Sequence, residues 1–451
     1  MSKVIKIKKG LDIKLLGKAE KIYIKAELSD KYAVKPTDFP GIFPKLVAKP
    51  GTRVKAGATL FYDKNHPEVK FTAPVSGEVA EVNRGERRRI LEVVINADKE
   101  IEYETFATGD PESLSKEKIA ETILESGMWP AIRQRPYAII ANPADTPRDI
   151  FISAFDTAPL APDYDFLVKD RDEEFQAGID ALNKLTTGDI HLGLNARYPA
   201  SGVFENARNV KKHYFKGPHP AGNVGIQIHH VKPINKGEII WYLNPQDVII
   251  IGRLFMKGIY DASKVVALTG SEVLKPRYYK MISGACITPL IKDNLKKEFE
   301  LRFISGNPLT GSKITSASYL GYYDSQVTII PEGNYYEFFG WASPGFKKYS
   351  MSRTFFSWLQ PEKRYRIDTN KHGGERAYVI TSQYEKVFPM DIYPVSLVKS
   401  IMIEDIDLME KLGIYEVAEE DMALCEFVCT SKIPVQSIVR QGLDMMKNEM
   451  G

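Results

Sequence analysis

Four clusters along this chain carry the side chains that metal, phosphate or redox chemistry requires. ALCEFVCTSK (423–432) holds Cys425 and Cys429 one helical turn apart, which sets both thiols on one face of a helix. Two thiolates fill only half of a tetrahedral zinc or iron–sulfur site, and the third cysteine, Cys286, is far away in sequence. Packed or free thiols are therefore the expectation. HYFKGPHPAGNVGIQIHH (213–230) gathers four of the seven histidines, His213, His219, His229 and His230. They lack an i, i+4 pair, and GPHPAG reads as a rigid turn, so a structural or interface role is expected and no metal.

GNPLTGSK (306–313) resembles a phosphate loop, but Lys and Ser stand in the wrong order for the lysine to reach phosphates, so a hairpin loop is expected. RGERRR (84–89) sets Arg84, Arg87, Arg88 and Arg89 around Glu86, either as a solvated hairpin or as a docking face for a protein partner or anionic headgroups. No G-x-G-x-x-G follows a strand; PAGNVGIQ offers only Gly222 and Gly225. No G-x-S-x-G, H-E-x-x-H or Ser/His/Asp constellation supports a hydrolase.

The runs KPGTRVKAGATLFYDK (49–64) and APVSGEVAEVNRG (73–85) form a quasi-repeat of short β-prone runs punctuated by glycines, resembling a lipoyl or biotinyl carrier module. Such a module presents a modified lysine at the hairpin between its halves, near Asp63-Lys64. Here the connection NHPEVKFT is longer than a carrier hairpin and contains Pro67, so an unmodified structural module is expected.

The elements that must position these residues follow from composition and period. A chain of 451 residues implies several domains. With 43% hydrophobic and 26% charged residues it can bury real cores. A net charge of +3 is too small to argue for nucleic acid. The N-terminus lacks the continuous apolar run of a signal peptide, and the most apolar stretch, DVIIIGRLFMKGI, is broken by Arg253 and Lys257. A cytoplasmic, soluble chain is expected, with cysteine usage that fits a reducing compartment.

SLSKEKIAETILESGMW (113–129) has the cap and spacing of an amphipathic helix. YAIIANPA, DIFISAFD and GDIHLGLN are strand candidates, with a helix over 172–188 between them, which predicts a parallel, Rossmann-like sheet. Residues 257–346 turn Gly-rich and strand-like, and 393–447 are helical by period. The fold class is thus α/β multidomain. Residues 1–100 form an N-terminal segment with a carrier-like barrel-sandwich hybrid, and 101–256 a Rossmann-like α/β domain. Residues 257–346 form a small β-grasp-like (SLBB) domain, 347–392 a connecting β/loop region, and 393–451 a C-terminal helical domain with a remnant cysteine motif.

Long stretches together carry a resemblance that no single motif does: IKIKKGLDI, LFYDKNHPEVKFTAPVSGEVAEVNRGERR, ESGMWPAIRQRP, FDTAPLAP, FKGPHPAGNVG, QDVIIIGRLF, FISGNPLTG, YLGYYDSQV, FFGWASPG and EEDMALCEFVC. Along essentially its whole length the chain resembles NqrA, the family of the A subunit of the sodium-translocating NADH:quinone oxidoreductase. That family is similar in turn to the soluble electron-input subunits of the Rnf complex (its C subunit) and of complex I. In those relatives a Gly-rich loop holds flavin and nucleotide, and a cysteine run holds a cluster. Here the matching loop is SGMWPAIRQRP, with Gly127 and a bulky Trp129, and only Cys425 and Cys429 remain of the run.

The resemblance implies a non-pumping member of a six-subunit translocase that reduces ubiquinone or menaquinone with NADH and exports sodium. It implies no tightly bound cofactor on this chain, with flavins, iron–sulfur centres and NADH on partner subunits. It places the chain on the cytoplasmic face, against the membrane-embedded B subunit and the flavin-bearing C subunit, near the quinone-reducing end. A quinone head group needs an apolar, aromatic slot with donors to its carbonyl oxygens. The candidates are Trp129, Arg133 and Arg135 in the collapsed loop, and Tyr32, Lys35 and Phe39 in the loop before the carrier-like module. A purely structural scaffold and an independent flavin-dependent NADH dehydrogenase are the alternatives.

Overall fold

The computed structural model describes residues 4–340 and 343–450, so 1–3, 341–342 and 451 of the expected units lie outside the described residues. At its centre is an open sheet whose strands run, in spatial order, Ile5–Lys6, Lys211–Lys216, Ile190–Asn195, Asp149–Ser153, Ile240–Leu243, Arg133–Arg135 and Ile139–Ile140. The first five are parallel; Arg133–Arg135 pairs antiparallel with Ile240–Leu243, and Ile139–Ile140 pairs antiparallel with Arg133–Arg135 in turn. YAIIANPA therefore departs from the expected parallel strand. Positive φ at Tyr137 and Ala138 (79° and 52°) folds the chain straight back on Arg133–Arg135.

From Asp149–Ser153 to Ile240–Leu243 the chain runs strand, helix, strand, and the four successive strands lie in the order third, second, first, fourth. The order reverses between Asp149–Ser153 and Ile240–Leu243. In open parallel sheets the crevice outside the carboxyl ends of the strands at such a reversal is where ligands are held.

Both faces of this sheet are covered, as the near-continuous apolar runs require. Ile150 and Ile152 of one strand join the core that includes Phe175, Ile179 and Val248. Phe151, between them, points the other way, into a cluster with Val224 and Ile228 of the helix Val224–Val231. The helix Pro245–Lys257 starts where the Asn244 side chain accepts the Gln246 N–H at 3.0 Å and stops at left-handed Gly258. It crosses the helix Asp172–Asn183 at two glycines. A Cβ on Gly252 would stand 1.8 Å from the Glu174 carbonyl oxygen, and one on Gly178 2.1 Å from that of Val248. Any larger residue forces the two backbones apart.

A second sheet takes, in order, Ser312–Ile314, Leu301–Ser305, Gln326–Pro331, Ser263–Thr269, Arg277–Ile282 and Glu20–Lys25. GNPLTGSK is the loop of its Leu301–Ser305 to Ser312–Ile314 hairpin, with Ser305 paired to Ser312. Two smaller sheets complete the N-terminal part: Lys31–Val34, Ile90–Ala97, Gly77–Arg84 and Arg53–Val54, then Pro44–Leu46, Thr59–Asp63 and Lys70–Thr72.

The N-terminal segment reaches well beyond that module. Ile5–Lys6 closes the edge of the central sheet and Glu20–Lys25 the edge of the second. Ile7 and Ile13 are buried in the same cluster as Leu397, Val398, Val439 and Leu443 of the C-terminal helices Pro394–Met402 and Val435–Met450. Covering two open sheet edges with short strands satisfies backbone groups that would otherwise template association.

Candidate functional site

Arg133 and Arg135 alternate with Gln134 on one strand, second from the sheet edge, and so project to the same face. The antiparallel register sets Arg133 opposite Tyr242 and Arg135 opposite Ile240. From there their surroundings diverge. Arg135 is fully buried; it donates to Asp421 Oδ2 at 2.9 Å, Glu420 Oε1 at 3.1 Å and the Glu416 carbonyl at 3.2 Å. It thereby ties this strand to the C-terminal helical region.

The Arg133 guanidinium lies between two rings instead, 4.5 Å from the centroid of Tyr242 and 4.5 Å from that of Tyr323. Burial opposes its charge, but Tyr242, Glu420, Tyr323 and Asp247 outweigh burial and raise its pKa. Tyr323 is anchored by its hydroxyl, which donates to the Pro130 carbonyl at 2.7 Å. The clamp thus joins Tyr323, in the loop that leads into the second sheet's Gln326–Pro331, to the Arg133–Arg135 strand of the first sheet.

Arg133 faces a cleft of about 120 Å³ at the carboxyl ends of the two strands where the sheet order reverses, lined also by Asp156, Tyr164, His219, Tyr242 and Asn244. Asp156 Oδ1 accepts the Ala158 N–H at 2.8 Å, yet burial keeps its pKa above the ordinary carboxylate range. The Tyr164 hydroxyl accepts from Asn244 Nδ2 at 3.2 Å. His219 meets the Thr157 hydroxyl at 3.1 Å, and burial pushes its pKa down to about 4. A cation, two phenols and a carboxyl whose pKa burial raises can together stabilise negative charge developing on a ligand oxygen and supply it with a hydrogen bond or a proton.

The cleft does not fit a dinucleotide or flavin with its phosphates. At about 120 Å³ it is below the roughly 300–1,000 Å³ of larger ligand sites. Trp129 does not line it: 1% exposed, it packs in the core with Trp241, its indole N–H donating to the Ala141 carbonyl at 2.7 Å and its ring edge-on to Trp241 at 5.5 Å.

Burial corrects several expected ligand positions. Trp129 and Arg135 are both enclosed by the protein, the first bonded to Ala141 and the second held by carboxylates. Tyr32 is in the strand Lys31–Val34, not a loop, and 1% exposed. Phe39 is 3% exposed, edge-on to Phe71 at 4.7 Å and 5.7 Å from Tyr323. Lys35 is spent on Asp38 at 3.3 Å and the Tyr319 carbonyl at 3.3 Å, beside a cavity of about 20 Å³ that has room for one water. The two expected groups do converge, through Phe39, Tyr323 and Arg133, but only Arg133 reaches a larger opening.

Elsewhere, Lys64 is exposed on the connection between Thr59–Asp63 and Lys70–Thr72. Arg84, Arg87, Arg88 and Arg89 are exposed at the Gly77–Arg84 to Ile90–Ala97 turn, and none has an ion pair among the described residues. Cys425 lies within the helix Ala423–Val428, while Cys429 caps it in extended backbone, so the two thiols do not share one helix. Burial pushes the Cys425 thiol well up.

The clustered histidines disperse: His229 to Glu416 at 2.8 Å, His230 to the Ile226 carbonyl at 2.8 Å, His213 to His191 at 2.8 Å. Among the described residues one group, Asp149, Asp189 and His191, is close enough to share an ion. Asp149 is already neutralised by Arg148 at 2.8 Å and Lys232 at 2.7 Å, which disfavours a further cation.

Sequence reasoning does not single out Asp156, Tyr164, Tyr242, Asn244 or Tyr323. Asp156 and Asn244 are within its reach, because each follows an apolar strand just where a parallel sheet reverses. Tyr323 has no such signal; its loop meets the cleft through a separate sheet.

Comparison with known proteins agrees along the chain. Residues 5–98 match the model of the NqrA N-terminal barrel-sandwich hybrid domain, 114–260 the NqrA second alpha/beta domain, and 265–316 the NQRA C-terminal domain. The A subunit of the Na(+)-translocating NADH-quinone reductase of Rhodopirellula baltica is 38% identical over 453 residues, covering 99% of this chain and 98% of that protein. The protein of the same name from Neisseria meningitidis is 38% identical over 451 residues, covering 99% and 100%. An NAD+-reducing [NiFe]-hydrogenase crystal structure aligns over 75% of this chain and 62% of its own at 13% identity, with a TM-score of 0.40 too low to bear on function.

Proposed function

The chain belongs to the NqrA family, the A subunits of the Na(+)-translocating NADH-quinone reductases, and from that premise we propose that it serves the quinone-reducing end of the complex by receiving the edge of a quinone ring in the cleft beside Arg133. The observation that carries this reading is the guanidinium held between Tyr242 and Tyr323 at 4.5 Å from each ring. Two aromatic faces fix the cation in a partly dry site, where it opposes developing negative charge on a quinone oxygen far more strongly than in water. Asp156, whose pKa burial raises, is the candidate proton donor lining the same cleft.

In this reading the chain holds no tightly bound cofactor, a view in keeping with the small volume of the cleft. Flavins, iron–sulfur centres and NADH then belong to partners, with the membrane-embedded B subunit and the flavin-bearing C subunit its neighbours on the cytoplasmic face of the membrane. No helix among the described residues is long and apolar enough to cross a membrane, which is in keeping with attachment through partners. We divide the chain functionally into the carrier-like module, Rossmann-like unit, SLBB-type unit and C-terminal helical unit, with Arg135 and Tyr323 as the struts between them.

A scaffold without ligand is the second reading, favoured by the burial and internal bonding of Trp129 and Arg135. Calorimetric titration of the isolated chain with a short-tail quinone separates the two. Saturable binding that Arg133→Gln weakens supports the cleft; no binding by the folded chain supports the scaffold.

A further inference from the structure

An exposed aromatic surface lies well away from the cleft. Within 333–364, Tyr336 is fully exposed and Phe338 90% exposed, and Phe346, Phe356 and Trp358 are each about half exposed. They belong to one folded unit. Lys348 Nζ holds Glu337 and donates to the Gly340 carbonyl at 2.8 Å, the Phe356 N–H donates to Pro344 at 2.8 Å, and Phe346 meets Phe356 edge-on at 5.9 Å. Burying large apolar side chains is worth about 1.5–3 kcal/mol each, so this many left in water on one unit mark a contact surface.

The same stretch carries five cations, Lys347, Lys348, Arg353, Lys363 and Arg364, against Glu337 and Glu362. Glu337 is taken by Lys348 and Glu362 by Lys14 at 3.2 Å. Lys347 and Arg364 are exposed and have no ion pair among the described residues, and Arg353 lies over the Trp358 ring at 5.7 Å.

We propose that this aromatic and basic unit seats directly on the headgroup layer of an anionic bilayer. Aromatic rings beside free cations match the two components of that layer, its apolar boundary and its negative surface. Side chains as exposed as Tyr336 and Phe338 protrude and do not line a groove. A soft, deformable layer accepts such projections without a matching pocket, which a protein partner would have to supply. The inference is independent of the quinone reading, since it uses none of the cleft residues.

The test is co-sedimentation of the full chain with phosphatidylcholine vesicles, with or without about one-third phosphatidylglycerol. Binding to the anionic vesicles, weakened by high salt and several-fold by Lys347→Glu with Arg364→Glu, or by Tyr336→Ser with Phe338→Ser, is expected. A second readout does not depend on those variants: brominated lipid quenches part of the tryptophan fluorescence, and Trp358→Phe removes that part. Absence of binding to either vesicle overturns the proposal, as does binding that all these variants retain. Capture only by membranes containing the partner subunits also overturns it and makes the surface a protein interface.

Discussion

Arg133 and Arg135 stand two residues apart on one strand, yet one is held by tyrosine rings and the other by carboxylates. The carboxylate arrangement is structural, whereas the ring clamp leaves charge available at a cleft. Substitutions at the two positions are therefore expected to fail in different ways.

Arg135→Met leaves the fully buried Asp421 without its counter-charge. Breaking a buried pair this way costs about 3–5 kcal/mol. Urea unfolding of the isolated chain is expected to shift to markedly lower concentration. Adding Asp421→Leu to the same chain restores part of the loss, because the orphaned charge is gone.

Trp129 is expected to report on stability alone. Trp129→Phe loses the N–H bond to Ala141, worth about 1 kcal/mol, while Trp129→Ala opens a cavity costing about 3–5 kcal/mol. In the assembled complex, below the variants' unfolding temperatures, the KM for quinone is expected to stay at the wild-type value. A raised KM in the Phe variant would return Trp129 to the ligand site.

Acid should destabilise the fold through His219 and His191. Burial, the leading cause for both, pushes each down to about 4 from an ordinary value of about 6.5. Both are neutral when folded, so below pH 6.5 the unfolded chain takes up protons that the folded chain refuses. Their contribution is fully present above pH 6.5 and is lost as pH falls toward 4, by up to about 1 kcal/mol per pH unit for each. Thermal unfolding followed from pH 7.5 to 4.5 should show this slope, and His219→Gln should flatten part of it.

The strands Asp149–Ser153 and Ile190–Asn195 are legible because each is a compact apolar run beside a helix signal, whereas Lys211–Lys216 and Ile240–Leu243 are not singled out. The collapsed loop also names Arg133, which lines the cleft. What escaped the sequence is long-range: Arg133–Arg135 pairs with Ile240–Leu243 a hundred positions on, and only that pairing buries Trp129 against Trp241. Likewise Ile5–Lys6 is too short to announce a strand, and its place is fixed by an open edge formed much later in the chain. Tyr32 and Phe39 read as accessible loop aromatics, but tertiary packing places them in the core.

The most direct measurement is steady-state quinone reduction by the assembled complex carrying Arg133→Gln. If the cleft receives the quinone, kcat/KM for quinone falls about tenfold or more, the scale of a partly desolvated cation–ring site, while NADH oxidation with an artificial acceptor and the chain's unfolding midpoint change little. An unchanged kcat/KM in a correctly assembled complex would contradict the account and move the quinone site off this chain.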